Sequence, residues 1–253
     1  MSRKTNIVED TVMLMENMNW MQVEEYLEKD DRLVLVTGSM EEHGYNTVAT
    51  DTQAAWEIAR AACEKTGVLL APPIHYAFVG WAVAFPGTIS IKPETFMALL
   101  RDVLKSLTAQ GFKRILILNG HGQNEIAKYV IEDLSVENQE LNVKFRSWYM
   151  LPKTYKSIEN EGISHWDHAS WLESFHWINQ PVEIPNKKKP PIDLEDYPTY
   201  GPKRIREIMP DGVAGGAYVR DEAFMRKYFQ TAVDEVAEIL DGSWKKEPRV
   251  IKL

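Results

Sequence analysis

The chain has 253 residues, of which 44% are hydrophobic, and it carries a formal net charge of -8. This length suits one large domain, and the acidic balance argues against nucleic acid or an anionic membrane as the main partner. No run of about 18 apolar residues occurs, which excludes a transmembrane helix. The single cysteine, Cys63, precludes an internal disulfide and reads as a small core residue, and the polar N-terminus is unlike a secretory signal. We therefore expect a cytoplasmic protein.

Helical and strand patterns alternate along the chain. Helical patterns cover 9–29, 52–65, 93–110, a segment ending near 136, 168–179 and 221–240, and strand patterns cover 33–37, 68–71, 88–91, 114–118 and 141–148. We expect Pro72-Pro73 to end the second strand, and both 150–165 and 180–204 to be irregular. The alternation predicts a single-domain layered α/β/α fold over 1–253, with a mostly parallel central sheet.

Two carboxylates and an imidazole follow the first predicted strand. Glu41 and His43 come shortly after 33–37, and Asp51 stands where the next helix begins. In α/β proteins, the loops at the carboxyl ends of the strands usually carry the functional site. Oxygen and nitrogen ligands that converge in this way suit zinc or manganese. The alternative is that each of the three is an ordinary solvated or helix-capping side chain.

A second loop repeats this arrangement. The strand 114–118 leads into the segment 119–124, where two glycines let the backbone approach a ligand closely. A histidine held between glycines is poorly explained as core filler, so we predict that His121 is a ligand. A third cluster adds His168 and Glu173. For Glu173, a ligand role and an exposed helix carboxylate are equally open.

Four motifs, in order along residues 38–174, resemble those of the creatininase (creatinine amidohydrolase) family. They are Gly-Ser-Met-Glu-Glu-His-Gly at 38–44 with Thr-Asp at 50–51, Pro-Pro-Ile at 72–74 with Phe-Pro-Gly-Thr-Ile-Ser at 85–90, Asn-Gly-His-Gly-Gln-Asn at 119–124, and His-Ala-Ser-Trp-Leu-Glu-Ser at 168–174. The family signature has Gln where this chain has Glu42. The resemblance implies a metal-dependent hydrolase with one or two metal ions on a layered α/β fold, often assembled as a hexamer.

Carried over by position, the resemblance implies that five residues bind the divalent metal, zinc or manganese. They are Glu41, His43, Asp51, His121 and Glu173, with Asp51 as the bridging carboxylate. In creatininase, a glutamate lies two residues after the histidine of the third motif, where this chain has Gln123. A neutral amide does not supply the same charge, so we place the last ligand on Glu173.

The resemblance also suggests which residues meet the substrate. We expect His168 or Asp167 to move protons, beside Glu173 in the catalytic set. We expect Trp81, Trp166 and Gln123 to contact the substrate, with packing of the loop as an equal alternative for Trp166. Further tryptophans in the loops, at 148, 171 and 177, fit a flat or ring-shaped ligand.

The implied activity is hydrolysis of a small cyclic amide, as in a creatinine-like amidohydrolase, through a metal-activated water. Creatinine itself is in doubt, because Asn46-Thr47-Val48 replaces the family's His-Leu-Pro and Trp81-Ala82 replaces its Glu-His. One alternative is a hydrolase that opens a cyclic sugar- or inositol-derived ketone at a carbon–carbon bond. Another is a non-catalytic metal- or ligand-binding homologue. We expect a homo-oligomer with a small-molecule substrate and no nucleic-acid or membrane partner.

Overall fold

The computed structural model describes residues 12–160, 168–178 and 182–244. Its helices are α1 (Trp20–Leu27), α2 (Thr50–Thr66), α3 (Pro93–Gln110), α4 (Ala127–Glu137), α5 (Pro152–Asn160), α6 (Pro202–Ile208) and α7 (Glu222–Asp241). Its strands are β1 (Arg32–Thr37), β2 (Leu69–Ile74), β3 (Arg114–Asn119), β4 (Asn142–Ser147), β5 (Lys188–Lys189) and β6 (Gly216–Ala217). No described helix has both the length and the apolar character needed to cross a membrane.

The first four strands form a parallel sheet in the order β2-β1-β3-β4, which confirms the predicted α/β fold with a parallel central sheet. Val34 of β1 pairs with Leu70 of β2 on one side and with Leu116 of β3 on the other. After β1 the chain moves towards one edge of the sheet, and after β3 it moves towards the other. The loops that leave these two strands therefore diverge at a topological switch point, where α/β proteins usually bind ligands.

Helices cover both faces of the sheet. Val34 and Val36 of β1 pack into an apolar cluster with α2 and α7, whereas Leu33 and Leu35 pack into a second cluster with α3 and α4. All four side chains are fully or almost fully buried. This burial on both faces explains why the central strands read as continuous hydrophobic runs. Cys63 of α2 is buried in the first cluster, as predicted.

Several helix ends agree with the sequence signals. α2 ends at Gly67 and α3 ends at Gly111, and both glycines have the left-handed backbone conformation that suits a C-cap. Pro93 occupies the first turn of α3, as its sequence position predicted. At the start of the described chain, Asn19 caps α1 with its side chain.

Two strand predictions are wrong. β2 continues through Pro72-Pro73 to Ile74, because β2 is an edge strand of the sheet. On its outer side the described chain makes one isolated bridge, between Leu14 and Leu70, which does not reach the two prolines. The predicted strand at 88–91 makes only isolated bridges, one between Met40 and Ile89 and one between Ala77 and Ser90.

The prediction that 150–165 is irregular is also wrong, because α5 occupies the described part of that segment. A side chain distant in the sequence caps this helix. Glu235 of α7 accepts hydrogen bonds from the backbone N–H groups of Lys153 and Thr154, each at 2.9 Å. Such a cap satisfies amide groups that a helix leaves free at its first turn, and no local pattern reveals it.

The predicted helix at 168–179 is not found in its described part, which holds only a 3₁₀ turn at Trp171–Glu173. Ala169 has a φ of 60°, and this left-handed conformation is incompatible with an α-helix at that point. The segment predicted as a polar loop at 180–204 contains β5 and the start of α6. Lys189 in that segment is partly buried and pairs with Asp211.

Candidate metal centre

Backbone contacts hold the two site-bearing loops together at the ends of β1 and β3. The Gly120 N–H donates to the Thr37 carbonyl at 2.8 Å, and the Asn124 side chain donates to the Gly38 carbonyl at 3.1 Å. A Cβ atom at Gly120 would lie 2.0 Å from the backbone oxygen of Asp51. Only glycine therefore allows the β3 loop to approach the start of α2 this closely.

The five predicted ligands lie together at this point, and all are at most 7% exposed. Asp51 lies in the middle, in the first turn of α2. Its Oδ1 is 3.0 Å from Nε2 of His43, and its Oδ2 is 2.9 Å from Nδ1 of His121. Glu41 Oε2 is 2.9 Å from the same His121 nitrogen, and Glu173 Oε2 is 3.4 Å from the His43 nitrogen. The donors therefore form two groups of three that share Asp51.

The spacing within each group fits a bound divalent ion. In the groups Glu41–Asp51–His121 and His43–Asp51–Glu173, the ligand atoms lie within 4.8 Å of one another. Donors held at about 2.0–2.2 Å from one zinc or manganese ion would be roughly 2.8–3.6 Å apart. The distances of 2.9–3.4 Å between imidazole and carboxylate atoms fall in this range. Carboxylate oxygens and imidazole nitrogens are ligands that both metals accept.

Second hydrogen bonds orient the two imidazoles for metal binding. His43 Nδ1 is 3.2 Å from the backbone oxygen of Glu41, and His121 Nε2 is 3.0 Å from that of Phe78. A carbonyl oxygen only accepts hydrogen bonds, so these nitrogens carry the protons. The opposite nitrogens, which face the carboxylate clusters, would then be free to lose their protons and bind a metal ion, and metal-binding histidines are usually held in this way.

The distribution of charge in the centre also favours the binding of cations. Burial opposes protonation of His43, but Asp51 and Glu173 raise its pKa well above the ordinary value. Glu41 and Asp51 raise the pKa of His121 in the same way against its burial. Burial would raise the pKa of Asp51, yet the two histidines lower it well below the ordinary value. Within the described chain no lysine or arginine pairs with these carboxylates, so divalent ions would supply the missing positive charge.

His168 lies at the edge of the centre and pairs with Glu42. Its Nε2 is 3.0 Å from Glu42 Oε1, and its ring centroid is 4.5 Å from that of His43 and 4.9 Å from that of Trp81. Burial and the neighbouring His43 oppose protonation, but Glu42 raises the pKa of His168 overall. Because Glu42 engages Nε2, Nδ1 is the ring nitrogen available for proton transfer.

A cavity of about 570 Å³ opens over the two donor groups. Trp81 and Gln123, which we expected to contact substrate, both line it. The side-chain oxygen of Gln123 is buried without a hydrogen-bond partner in the described chain. Trp166 and Asp167, also predicted for the site, lie outside the described residues.

None of the three tryptophans at 148, 171 and 177 lines this cavity. Trp148 and Trp171 are almost fully buried and belong to the apolar cluster between the sheet and α7, where both contact Tyr228. Trp177 stacks on Phe175 at 4.7 Å and lines a different surface pocket. The expectation that these loop tryptophans form a ring-binding surface is therefore wrong for all three.

Sequence reasoning missed several residues of the site. Ser39 Oγ donates to Asp51 at 2.7 Å and so orients this carboxylate, while Glu41 Oε2 lies 3.3 Å from the same oxygen. Tyr149 lines the cavity, and burial together with Asp51 and Glu173 raises its pKa. Ser39 and Glu42 stand inside the first motif, so their position was a usable signal. Nothing in the local sequence pointed to Tyr149.

Comparison with known proteins agrees with the family resemblance of the four sequence motifs. The sequence model of the creatininase family, described as creatinine amidohydrolase, matches residues 16–240. A 3-dehydro-scyllo-inosose hydrolase of Thermotoga maritima is 32% identical over 123 residues, covering 48% of this chain and 40% of that protein. The creatinine amidohydrolase of Pseudomonas putida is 24% identical over 152 residues, covering 53% of this chain and 58% of that protein. The matches thus span about half the length of these curated relatives.

Solved structures of this family have a similar fold. A mutant creatininase complexed with creatine has a TM-score of 0.76 at 20% identity, covering 90% of this chain and 97% of that one. A putative creatinine amidohydrolase from Bacteroides fragilis has a TM-score of 0.71 at 22% identity, covering 93% of this chain and 99% of that one. Zinc and manganese forms of creatininase are among the similar structures. At these identities the similarity establishes the fold.

Proposed function

This chain belongs to the creatininase family, and from that premise we propose that it is a metal-dependent hydrolase of a small cyclic amide. The observation that carries the proposal is the position of Asp51 between two histidines, His43 and His121, each held in a metal-binding tautomer by a backbone carbonyl. A buried carboxylate shared by two such groups is suited to bridging two divalent ions.

In this proposal the five donors have separate tasks. Glu41, His121 and Asp51 would hold one ion, and His43, Glu173 and Asp51 would hold the other. Divalent ions supply Lewis acidity, which lowers the pKa of water and polarises a carbonyl group. Ser39 orients Asp51 through the hydrogen bond that its hydroxyl group donates at 2.7 Å.

His168 is the proposed proton carrier. Its Nε2 is held by Glu42, and its ring lies next to His43 over the cavity. A protonated Nδ1 would deliver a proton to the nitrogen that leaves when the amide bond breaks. Asp167, next in sequence, is the alternative carrier. Trp81 and Gln123 line the cavity and would orient the substrate.

A second candidate function is the opening of a cyclic sugar- or inositol-derived ketone at a carbon–carbon bond. The observation in its favour is the 32% identity to a 3-dehydro-scyllo-inosose hydrolase. A third candidate is a non-catalytic metal-binding homologue. From family membership we also propose a homo-oligomeric assembly, with a hexamer as the expected form.

One experiment separates these candidates. The protein is loaded with zinc or manganese and assayed against hydantoins, creatinine, dihydropyrimidines and inosose-type ketones, with product identified by mass spectrometry. Amide hydrolysis that disappears in His121→Ala supports the proposal. Turnover of the ketone alone favours the second candidate. Bound metal without turnover of any substrate favours the third, and activity retained in metal-free His121→Ala would contradict the metal mechanism.

A further inference from the structure

The cavity has two chemically different sides. The metal centre and His168 form one side. The other consists of apolar and aromatic side chains, and we call it the apolar wall; its members are Trp81, Leu172, Leu194, Tyr197, Ile205 and Ala214. Four of these six come from the segment 194–214, which lies in sequence beyond all four family motifs.

Packing and backbone hydrogen bonds hold the apolar wall in place. Ile205 of α6 is fully buried, and Ala214 is 2% exposed. The Tyr197 N–H donates to the Leu194 carbonyl at 2.9 Å, which turns the chain so that both side chains line the cavity. The Ile192 N–H donates to the Ala214 carbonyl at 2.8 Å and joins the two ends of the segment. The Tyr197 ring meets the edge of Trp81 at 6.4 Å.

Apart from the imidazoles of the metal centre and His168, the described part of the cavity lining has no positively charged side chain. Among the described residues that line it, the ionisable ones are the carboxylates and imidazoles of the centre and Tyr149 and Tyr197, with no lysine or arginine. Arg206 of α6 donates instead to the Ala84 carbonyl and lies over the Phe85 ring. A negatively charged substituent against the apolar wall would lose its hydration without gaining a partner.

Building on the proposed function, we infer that the substrate carries a neutral, apolar substituent beside the bond that is cleaved, and that Leu194 and Tyr197 bind this substituent. The metal side determines which bond reacts, and the apolar wall determines which molecules are accepted. A ring that bears hydroxyl groups all round would leave some of them unpaired against this wall, so the inference favours an amide over a polyhydroxylated ketone.

Hydroxamates test this inference without knowledge of the substrate, because their two oxygens bind a metal ion while the rest of the molecule varies. Three probes are titrated calorimetrically into the zinc-loaded protein: acetohydroxamate, phenylacetohydroxamate and the monohydroxamate of succinic acid. We expect the phenyl probe to bind at least about tenfold more tightly than acetohydroxamate, as burial of a ring-sized apolar group predicts. We expect the anionic probe to bind no better than acetohydroxamate.

Variants of the apolar wall test whether it causes the preference for the phenyl probe. Leu194→Ala should reduce the preference for the phenyl probe about threefold or more. Leu194→Arg should improve binding of the anionic probe relative to the phenyl probe. Ile192→Ala is the matched control, because Ile192 lies just before this segment and outside the cavity lining. The preference of this variant for the phenyl probe should equal that of the wild type. Tyr197→Ser serves as a second wall variant if Leu194 variants unfold.

The possible outcomes distinguish failure of the proposed metal site from failure of the apolar wall to select the substrate. If acetohydroxamate does not bind the zinc-loaded protein, the proposed metal site fails, and the inference fails with it. If all three probes bind equally, or if the wall variants leave the preference unchanged, the inference is overturned while the metal site stands. A phenyl preference that is lost in the wall variants and kept in Ile192→Ala supports the inference.

Discussion

Glu42 and His168 form a partly buried pair across 126 positions of the sequence, with His168 Nε2 3.0 Å from Glu42 Oε1 and 2.9 Å from the backbone oxygen of Glu42. Only 7% of the Glu42 side chain and 22% of the His168 side chain are exposed. Gly212 packs directly on the carboxylate, since a Cβ there would lie 1.8 Å from Glu42 Oε2. The pair fixes the orientation of the imidazole at the edge of the cavity.

Removal of the Glu42 carboxylate should therefore impair turnover more than binding. We expect Glu42→Ala to lower kcat about 10–100-fold with little change in KM, because His168 loses the acceptor that orients it. Glu42→Gln keeps an acceptor oxygen and has the residue of the family signature, so it should retain most of the activity. Steady-state kinetics with the amide found by screening would check this. Equal kinetic constants in both variants and the wild type would show that the pair does not position His168.

Metal content should follow the two donor groups. We expect about two zinc or manganese ions per chain in the loaded protein, and about one in Glu173→Gln, because the Glu173 carboxylate serves only the group that contains His43. Elemental analysis after dialysis measures the content. Glu132→Gln, which changes an exposed carboxylate on α4, is the control and should keep both ions. An unchanged metal content in Glu173→Gln would remove Glu173 from the ligand set.

Gly120→Ala should destabilise the protein and disrupt the metal centre. The new Cβ would lie 2.0 Å from the Asp51 backbone oxygen, so the start of α2 must shift. We expect a loss of about 3 kcal/mol in the free energy of unfolding, together with weaker metal retention. Gly201→Ala is the matched control, since nothing lies within 4 Å of its Cβ, and it should cost less than about 1 kcal/mol. Urea unfolding of both variants measures these free energies. Similar losses of unfolding free energy in Gly120→Ala and Gly201→Ala would refute the proposed clash.

The ion pair of Asp30 should make stability depend on pH. Burial raises the pKa of Asp30, but its hydrogen bonds with Arg32, at 2.8 Å and 3.1 Å, and the charge of Arg114 lower it overall. A carboxyl group whose pKa is lower in the folded state stabilises the fold above its unfolded pKa of about 3.9. That contribution is lost as the pH falls through the folded pKa.

We therefore expect Asp30→Asn to cost about 1 kcal/mol of unfolding free energy at pH 7, and the difference from the wild type to shrink below about pH 4. Urea unfolding of both proteins at pH 7 and below about pH 4 measures this difference in unfolding free energy. Asp133→Asn, in the more exposed pair with Arg101, should show little difference at either pH. A difference for Asp30→Asn that does not change with pH would indicate a structural cause other than its charge.

Some features of the molecule were readable from local sequence. Neighbouring residues alone indicate the buried strands 33–37 and 114–118 and the helix 93–110. The same is true of the loops that carry Glu41, His43, Asp51 and His121. Hydrophobic runs, capping glycines and polar motifs at strand ends indicate them directly. The alternation of helices and strands predicted a mostly parallel sheet, and the structure shows that β1 pairs with β3, which brings the two loops together.

Other features required the tertiary structure. The α5 helix depends on a cap from Glu235, 82 positions from Lys153, and the expected helix at 168–179 is replaced by a turn that begins beside the left-handed Ala169. The carbonyl that orients His121 belongs to Phe78, 43 positions away in the sequence, whereas the carbonyl that orients His43 belongs to its own loop.

By itself, therefore, the sequence determined the family, the layered fold and the set of candidate metal donors, because motif residues and apolar periodicity are local properties of the chain. Only the tertiary structure decided how the donors divide around Asp51, what orients His168, and that residues of 194–214 form the apolar wall of the cavity. The physical reason is that these arrangements rest on contacts between segments far apart in the chain, and such contacts leave no periodic or short-range pattern in the sequence.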